Sequence, residues 1–269
     1  MTRTILFSDL DGTFLDHHHY TPGPALGAWK MLEARGIPLI FCSSKTFAEQ
    51  TALQNELGMR QPFILENGSA IALPKDYFPP ASYSADQTSG SWDLVALSHA
   101  DRSDLLALIA QHPGLRGFSQ VGKDALAAST GLKGAALDRA RERWFTETLL
   151  YPDEEAGVAP LREPFLQAGW IFSRGGRFFT LQSVAADKGK ALTRLRDLFQ
   201  QKYPDARLHT VAVGDSPNDA PMLAAADTAC QVQLYDGRWA DLGIADPIRI
   251  EAPGPAGFSE LVRRILSPL

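Results

Sequence analysis

The chain has 269 residues, 45% of them hydrophobic, and a formal net charge of -5. That length is enough for one or two domains with a sizeable core, and the acidic balance excludes the basic footprint of a nucleic-acid-binding protein. No apolar run reaches the ~18 residues of a membrane span, and the start MTRTILFSD lacks the pattern of a signal peptide. Neither nucleic acid nor a membrane is therefore expected as a partner. The only two cysteines, Cys42 and Cys230, lie in strand-like apolar runs, so buried thiols and a reducing cytoplasm are expected.

In chain order, residues 4–8, 37–42 and 63–65 read as buried parallel strands. Helical patterns separate them. Residues 24–34 place Leu26, Trp29, Met31 and Leu32 roughly on one face, and residues 46–57 open with Thr46 and Glu49, a capping box. Residues 74–91, rich in proline and serine, read as a linker. Three strand-like runs, WDLVALS, WFTETLLY and GRFFTLQS, follow with helices between them, an α+β module whose core would hold Trp144, Phe145, Phe178 and Phe179. From Asp187 the earlier alternation returns: a helix to Gln201, a strand over 210–213, a helix over 217–226 and a strand over 228–232. The expected fold class is α/β. A Rossmann-like parallel-sheet core of residues 1–82 and 185–269 would be interrupted by an inserted α+β cap domain of residues 83–184.

In open α/β sheets, ligands bind beyond the carboxyl ends of the strands. Here those ends carry Asp9-Leu10-Asp11-Gly12-Thr13, Ser43-Ser44-Lys45-Thr46, Glu66-Asn67-Gly68 and Asp215-Ser216-Pro217-Asn218-Asp219. Burying one carboxylate costs several kcal/mol unless it is paired or bound to a metal. Four acids on one rim, Asp9, Asp11, Asp215 and Asp219, therefore call for a cation. Hard oxygen ligands suit Mg²⁺. Lys188, three and seven residues before Ala191 and Leu195, points along the apolar face of its helix and would add a positive side chain. In such a site Asp9 is suited to be a nucleophile of the aspartyl-phosphate type and Asp11 a general acid and base. Gly12 allows a sharp turn around a phosphate. Ser43 and Lys188 would hold the phosphoryl oxygens.

Together these residues resemble the haloacid dehalogenase-like phosphohydrolases. The resemblance rests on DxDGT at Asp9 to Thr13, the strand-end Ser43, Lys188 in DKGKAL, and GDSxND at Gly214 to Asp219. It implies catalytic roles for Asp9, Asp11, Ser43 and Lys188. It also implies Mg²⁺ bound by Asp9, the Asp11 backbone carbonyl and Asp215, with Ser216, Asn218 and Asp219 around the metal's water shell. The insertion after the third strand resembles the α+β cap of the Cof-like branch. Four further stretches, SSKT, LENGSAI, GGRFF and APGPAGF, are similar to the mannosyl-3-phosphoglycerate phosphatases. That similarity implies a small phosphorylated glycosyl-glycerate as substrate.

Substrate contacts are then expected from Gly12, Ser44, Lys45, Glu66, Asn67, Gly68, Arg143, Glu147, Gly175, Gly176 and Arg177. Lys45 and Arg177 are the cationic candidates for the glycerate carboxylate, since arginine recognises carboxylates in a bidentate manner. Glu66, Asn67 and Glu147 suit hydroxyls. Gly175-Gly176-Arg177 also reads as a plain hairpin turn, and His17-His18-His19 as a solvated turn. Two other functions compete: a broad sugar-phosphate phosphatase, and a catalytically weak phosphosugar-binding module, from which the loss of Asp9 or Asp11 would be expected.

Overall fold

The computed structural model describes residues 2–152 and 154–266. Strands β1 (Thr2–Ser8), β2 (Leu39–Cys42) and β3 (Phe63–Leu65) alternate with helices α1 (Ala25–Ala34) and α2 (Phe47–Leu57). A single turn, Glu66–Gly68, leads into β4 (Ala70–Pro74), β5 (Gln87–Ser89) and β6 (Trp92–Ala96). Next come α3 (Arg102–Ala110), β7 (Arg116–Gly117), α4 (Lys123–Thr130), α5 (Ala135–Arg141), β8 (Glu147–Tyr151), α6 (Glu155–Val158), α7 (Arg162–Gln167), β9 (Trp170–Arg174) and β10 (Phe179–Ser183). The chain closes with α8 (Lys188–Lys202), β11 (Arg207–Gly214), the turn Pro217–Asp219, α9 (Ala220–Ala225), β12 (Thr228–Gln233), β13 (Ile248–Pro253) and α10 (Gly254–Leu266).

Two sheets result. The larger has the order β13-β12-β11-β1-β2-β3-β4-β6-β5. It is parallel from β13 to β3 and antiparallel beyond. The smaller is antiparallel, ordered β7-β8-β10-β9. Alternation along β1 sends Leu6 to one core and Ile5 and Phe7 to the other. The first core is closed by residues of α1, α2 and α10, and the second by residues of α8 and α9. The expected α/β class is present, with the parallel strand ends aligned on one rim. No helix among the described residues is long and apolar enough to cross a membrane.

Several elements differ from their sequence reading. The run WDLVALS, expected in the inserted module, forms β6 and pairs with β4 on the larger sheet. The apolar stretch Ala70–Pro74 would otherwise leave an open edge of backbone donors and acceptors, which β6 covers. Part of the expected linker forms β5. In WFTETLLY only residues from Glu147 onward are strand. Trp144 does not enter the core of the smaller sheet; it stacks on Phe47 of α2, with ring centroids 5.1 Å apart. In α1, Leu26 and Met31 are exposed, and Ala25, Ala28, Trp29 and Leu32 form the buried face.

Candidate active site

The acids beyond β1 and β11 meet beneath Lys188. Lys188 is the first residue of α8 and is fully buried. Its Nζ donates to Asp9 Oδ1 at 2.7 Å and to Asp219 Oδ1 at 2.6 Å. The helix N-terminus disfavours a cation, so the two carboxylates are what hold it there. Burial alone would lower the Lys188 pKa, but Asp219 and Asp9 outweigh it and keep the ammonium charged. Burial and the Asp219 carboxylate push Asp9 up to about 7, against the pull of Lys188.

Asp215 is the member that Lys188 does not reach. Burial, followed by the charges of Asp219 and Asp9, raises its carboxyl well above the usual range. Thr13 Oγ1 donates to its Oδ1 over a long 3.4 Å, and a side-chain hydrogen bond from Ser216 only partly offsets the rise. Gly12 sits directly over it: at φ +85°, a Cβ on Gly12 would come 2.5 Å from Asp215 Oδ2. The glycine is thus required by the acid beneath it as well as by the turn. Carboxylate oxygens of Asp9, Asp215 and Asp219 lie within 4.8 Å of one another. Both Asp219 oxygens are already engaged, one by Lys188 and the other by the backbone N–H groups of Asp215 and Ser216, each at 3.0 Å. A divalent cation therefore fits best between Asp9 and Asp215, with Asp219 bracing both walls.

Above this cluster, a cavity between the rim and the smaller sheet is lined by Asp9, Asp11, Ser44, Lys45, Arg143, Gly175, Gly176, Arg177, Ser216 and Asn218. Lys45 Nζ pairs with Asp11 Oδ1 at 3.0 Å and with Glu49 Oε1 at 3.7 Å. Burial opposes the charge of Lys45, but Asp11 and Glu49 hold its pKa above the ordinary lysine value. Ser43 Oγ accepts from the Lys45 N–H at 3.2 Å, leaving the hydroxyl proton for another acceptor. Arg143 donates to the Ser44 carbonyl and the Thr146 hydroxyl, and its buried Nε has no partner. Arg177 donates to Tyr20 Oη at 3.1 Å and to the carbonyl of Ser129. Neither guanidinium has a carboxylate partner among the described residues.

Four expected substrate contacts are built differently. Glu66 is fully buried, and its carboxylate accepts from the N–H groups of Trp144, Phe145 and Thr146 and from the Thr146 hydroxyl. It clamps residues 144–146, just before β8, to the rim, and its four hydrogen bonds leave no capacity for a sugar. Glu147 is equally buried, held by Arg102, by Ser119 N–H and by Ser119 Oγ. Gly68, at φ +92°, lets the Asp187 carbonyl approach to where a Cβ would lie 2.1 Å away, so it seats the start of α8. Asn67 stands behind the rim, its Oδ1 accepting from Asn218 Nδ2 at 3.2 Å.

The sequence reading also missed residues. Thr148 and Thr180, hydrogen-bonded to each other at 3.1 Å, face the cavity from β8 and β10. Their alternation with Leu149, Phe179 and Leu181, all in the core of the smaller sheet, was the available signal. Glu49 was read only as a helix cap, a role it keeps while also meeting Lys45. His17 and Tyr20 line the cavity too.

A family model for haloacid dehalogenase-like hydrolases matches residues 6–83. A glucosyl-3-phosphoglycerate/mannosyl-3-phosphoglycerate phosphatase of Persephonella marina is 32% identical over 267 residues, 98% of each chain. A relative of the same name from Methanococcoides burtonii is 33% identical over 269 residues, 98% of this chain and 97% of its own. Among solved structures, a haloacid dehalogenase-like hydrolase from B. subtilis superposes with a TM-score of 0.67 at 18% identity, covering 97% of this chain and 99% of its own.

Proposed function

The chain belongs to the haloacid dehalogenase-like hydrolases, and from that premise we propose a Mg²⁺-dependent phosphatase that converts mannosyl-3-phosphoglycerate, or its glucosyl counterpart, to glycosylglycerate and phosphate. The observation that carries the chemistry is the Lys188 bridge between Asp9 and Asp219, which leaves one Asp9 oxygen uncommitted beside the cavity. That oxygen attacks phosphorus. The bond from phosphorus to the glycerate oxygen breaks, and Asp11 gives a proton to the departing oxygen. Water then attacks the aspartyl phosphate while Asp11 takes its proton, and the bond from Asp9 to phosphorus breaks to release phosphate. Asp9, Asp215 and the Asp11 backbone carbonyl are the candidate holders of Mg²⁺, which screens the phosphate charge when bound. Ser43, Lys188 and nearby backbone N–H groups act by positioning and electrostatic stabilisation. Lys45, shared between Asp11 and Glu49, holds the acid in place.

The substrate reading rests on the names of the full-length relatives and on the charge of the cavity wall. Arg143 and Arg177 bring two guanidinium groups with no internal carboxylate partner among the described residues, which suits a substrate with a second anion. Ser44, Thr148 and Thr180 present polar groups for hydroxyls. We assign the wall from about residue 98 to about residue 184 to an inserted cap, because β5 and β6 pair with the larger sheet. Buried, unpaired Cys42 and Cys230 favour the cytoplasm. The test is phosphate release from mannosyl-3-phosphoglycerate, glucosyl-3-phosphoglycerate, sucrose-6-phosphate and hexose phosphates, with and without Mg²⁺. Preference for the two phosphoglycerates, lost on chelation, is expected. Equal turnover of simple hexose phosphates would replace the proposal with a broad sugar-phosphate phosphatase.

A further inference from the structure

We infer that His17 is a specificity-determining residue of this site: its imidazole donates a hydrogen bond to the substrate carboxylate that Arg177 meets. The inference rests on the phosphatase reading above and deepens it. The three histidines, alike in sequence, are separated by the fold. His18 and His19 are exposed, whereas His17 is half-buried and lines the cavity that holds Asp9 and Asp11. Its ring stacks on Tyr235, with centroids 4.3 Å apart and planes 13° from parallel. The turn that carries it is tied down by Asp16, whose carboxylate accepts from His18 N–H, His19 N–H, Thr21 N–H and Thr21 Oγ1. Neither ring nitrogen of His17 has a hydrogen-bond partner among the described residues, so a ring held in place by stacking keeps its polar edge free.

The cap loop runs alongside that ring. A Cβ on Gly176 would lie 3.6 Å from His17 Cε1, which is ordinary contact distance. The next residue is Arg177, anchored by Tyr20 and Ser129 and without a carboxylate partner among the described residues. The charged and titratable groups around His17 are His18, Arg177, Asp11 and Asp16, together with the stacked Tyr235. Burial, then His18 and Arg177, lower its pKa, against Asp11 and Asp16. A neutral imidazole has one N–H donor and one acceptor. A donor beside an unpaired guanidinium is the arrangement a carboxylate fills.

Steady-state kinetics on the full chain test this with three substrates: mannosyl-3-phosphoglycerate, its analogue in which glycerol phosphate replaces phosphoglycerate, and p-nitrophenyl phosphate. His17→Ala should lower kcat/KM for the carboxylated substrate, mainly through KM, roughly five- to tenfold more than for the other two, the scale of one hydrogen bond. His17→Gln, which retains an N–H donor, should recover most of the difference. His19→Ala, removing an exposed ring of the same turn that packs on neither His17 nor Tyr235, should leave all three substrates unaffected. Equal losses on the three substrates, no loss on the carboxylated one, or failure of Gln to recover the difference would overturn the inference and leave the function standing. A wild type with no preference for the carboxylated substrate over its glycerol analogue would overturn both.

Discussion

The two walls of the cavity handle charge in opposite ways. On the rim both cations have internal partners: Lys188 bridges Asp9 and Asp219, and Lys45 lies between Asp11 and Glu49, which leaves Asp215 as the cluster acid without an ion pair among the described residues. On the opposite wall Arg143 and Arg177 rest on carbonyl and hydroxyl oxygens alone. A reaction centre stabilises developing charge best when its dipoles and charges are fixed before the substrate arrives. A recognition wall whose counter-charge is missing instead selects for a ligand that carries it, because a ligand without that anion leaves the cations unmatched. In the proposed mechanism the rim governs whether any phosphomonoester is cleaved, and the facing wall governs which one.

The largest break in that comparison is Asp9→Asn, which keeps shape and removes the proposed nucleophile. It should reduce phosphate release from every substrate by at least about 10⁴-fold, with an unchanged circular dichroism spectrum. Comparable losses on mannosyl-3-phosphoglycerate and p-nitrophenyl phosphate would mark a rim residue; turnover persisting at wild-type rate would remove Asp9 from the mechanism. Next is Lys188→Met. It leaves two buried carboxylates facing each other, so a loss of about 3–5 kcal/mol is expected in urea unfolding, together with loss of turnover. A variant as stable as wild type would show that the bridge is not what holds these acids together.

Arg177→Ala sharpens the comparison from the other side. A hydrogen-bonded charge contributes about 1.5–3 kcal/mol. Its kcat/KM should therefore fall about ten- to a hundredfold more on mannosyl-3-phosphoglycerate than on p-nitrophenyl phosphate. Equal losses would place Arg177 with the rim. The smallest expected effect is on metal affinity. With Asp9 raised to about 7 in the metal-free protein, protons compete with Mg²⁺ on the acid side of neutrality. A raised carboxyl is neutral below its pKa and metal binding needs the carboxylate, so affinity falls as pH falls. Calorimetric titration at pH 8 and pH 6 should show a loss of about tenfold from one such proton. Identical affinities would mean that Asp9 is not a ligand.

Much of the rim was legible because its logic is local. Parallel strands end where ligands bind, so Asp9, Ser43 and Asp215 could be placed on one edge from apolar runs alone. The direction of Lys188 followed from its spacing to Ala191 and Leu195. The acids on other elements were harder to read. Glu66 looks like a sugar contact in LENGSAI, yet its carboxylate is consumed by backbone N–H groups about eighty residues away. Glu147 stands in a strand-like run, and Arg102, from a helix that sequence spacing does not relate to it, takes its charge.

The sequence by itself determined the α/β class, the strand-end acid cluster and the chemistry that cluster supports, because periodicity and strand termini are written in neighbouring residues. Only the tertiary structure decided which charges are already paired and which remain open. Glu66 and Glu147 became struts, Arg143 and Arg177 were left without carboxylate partners among the described residues, and one of three adjacent histidines was turned into the cavity. The physical reason is that a buried polar group takes whichever partner the fold brings within hydrogen-bond reach, and that reach is set by segments far apart in the chain.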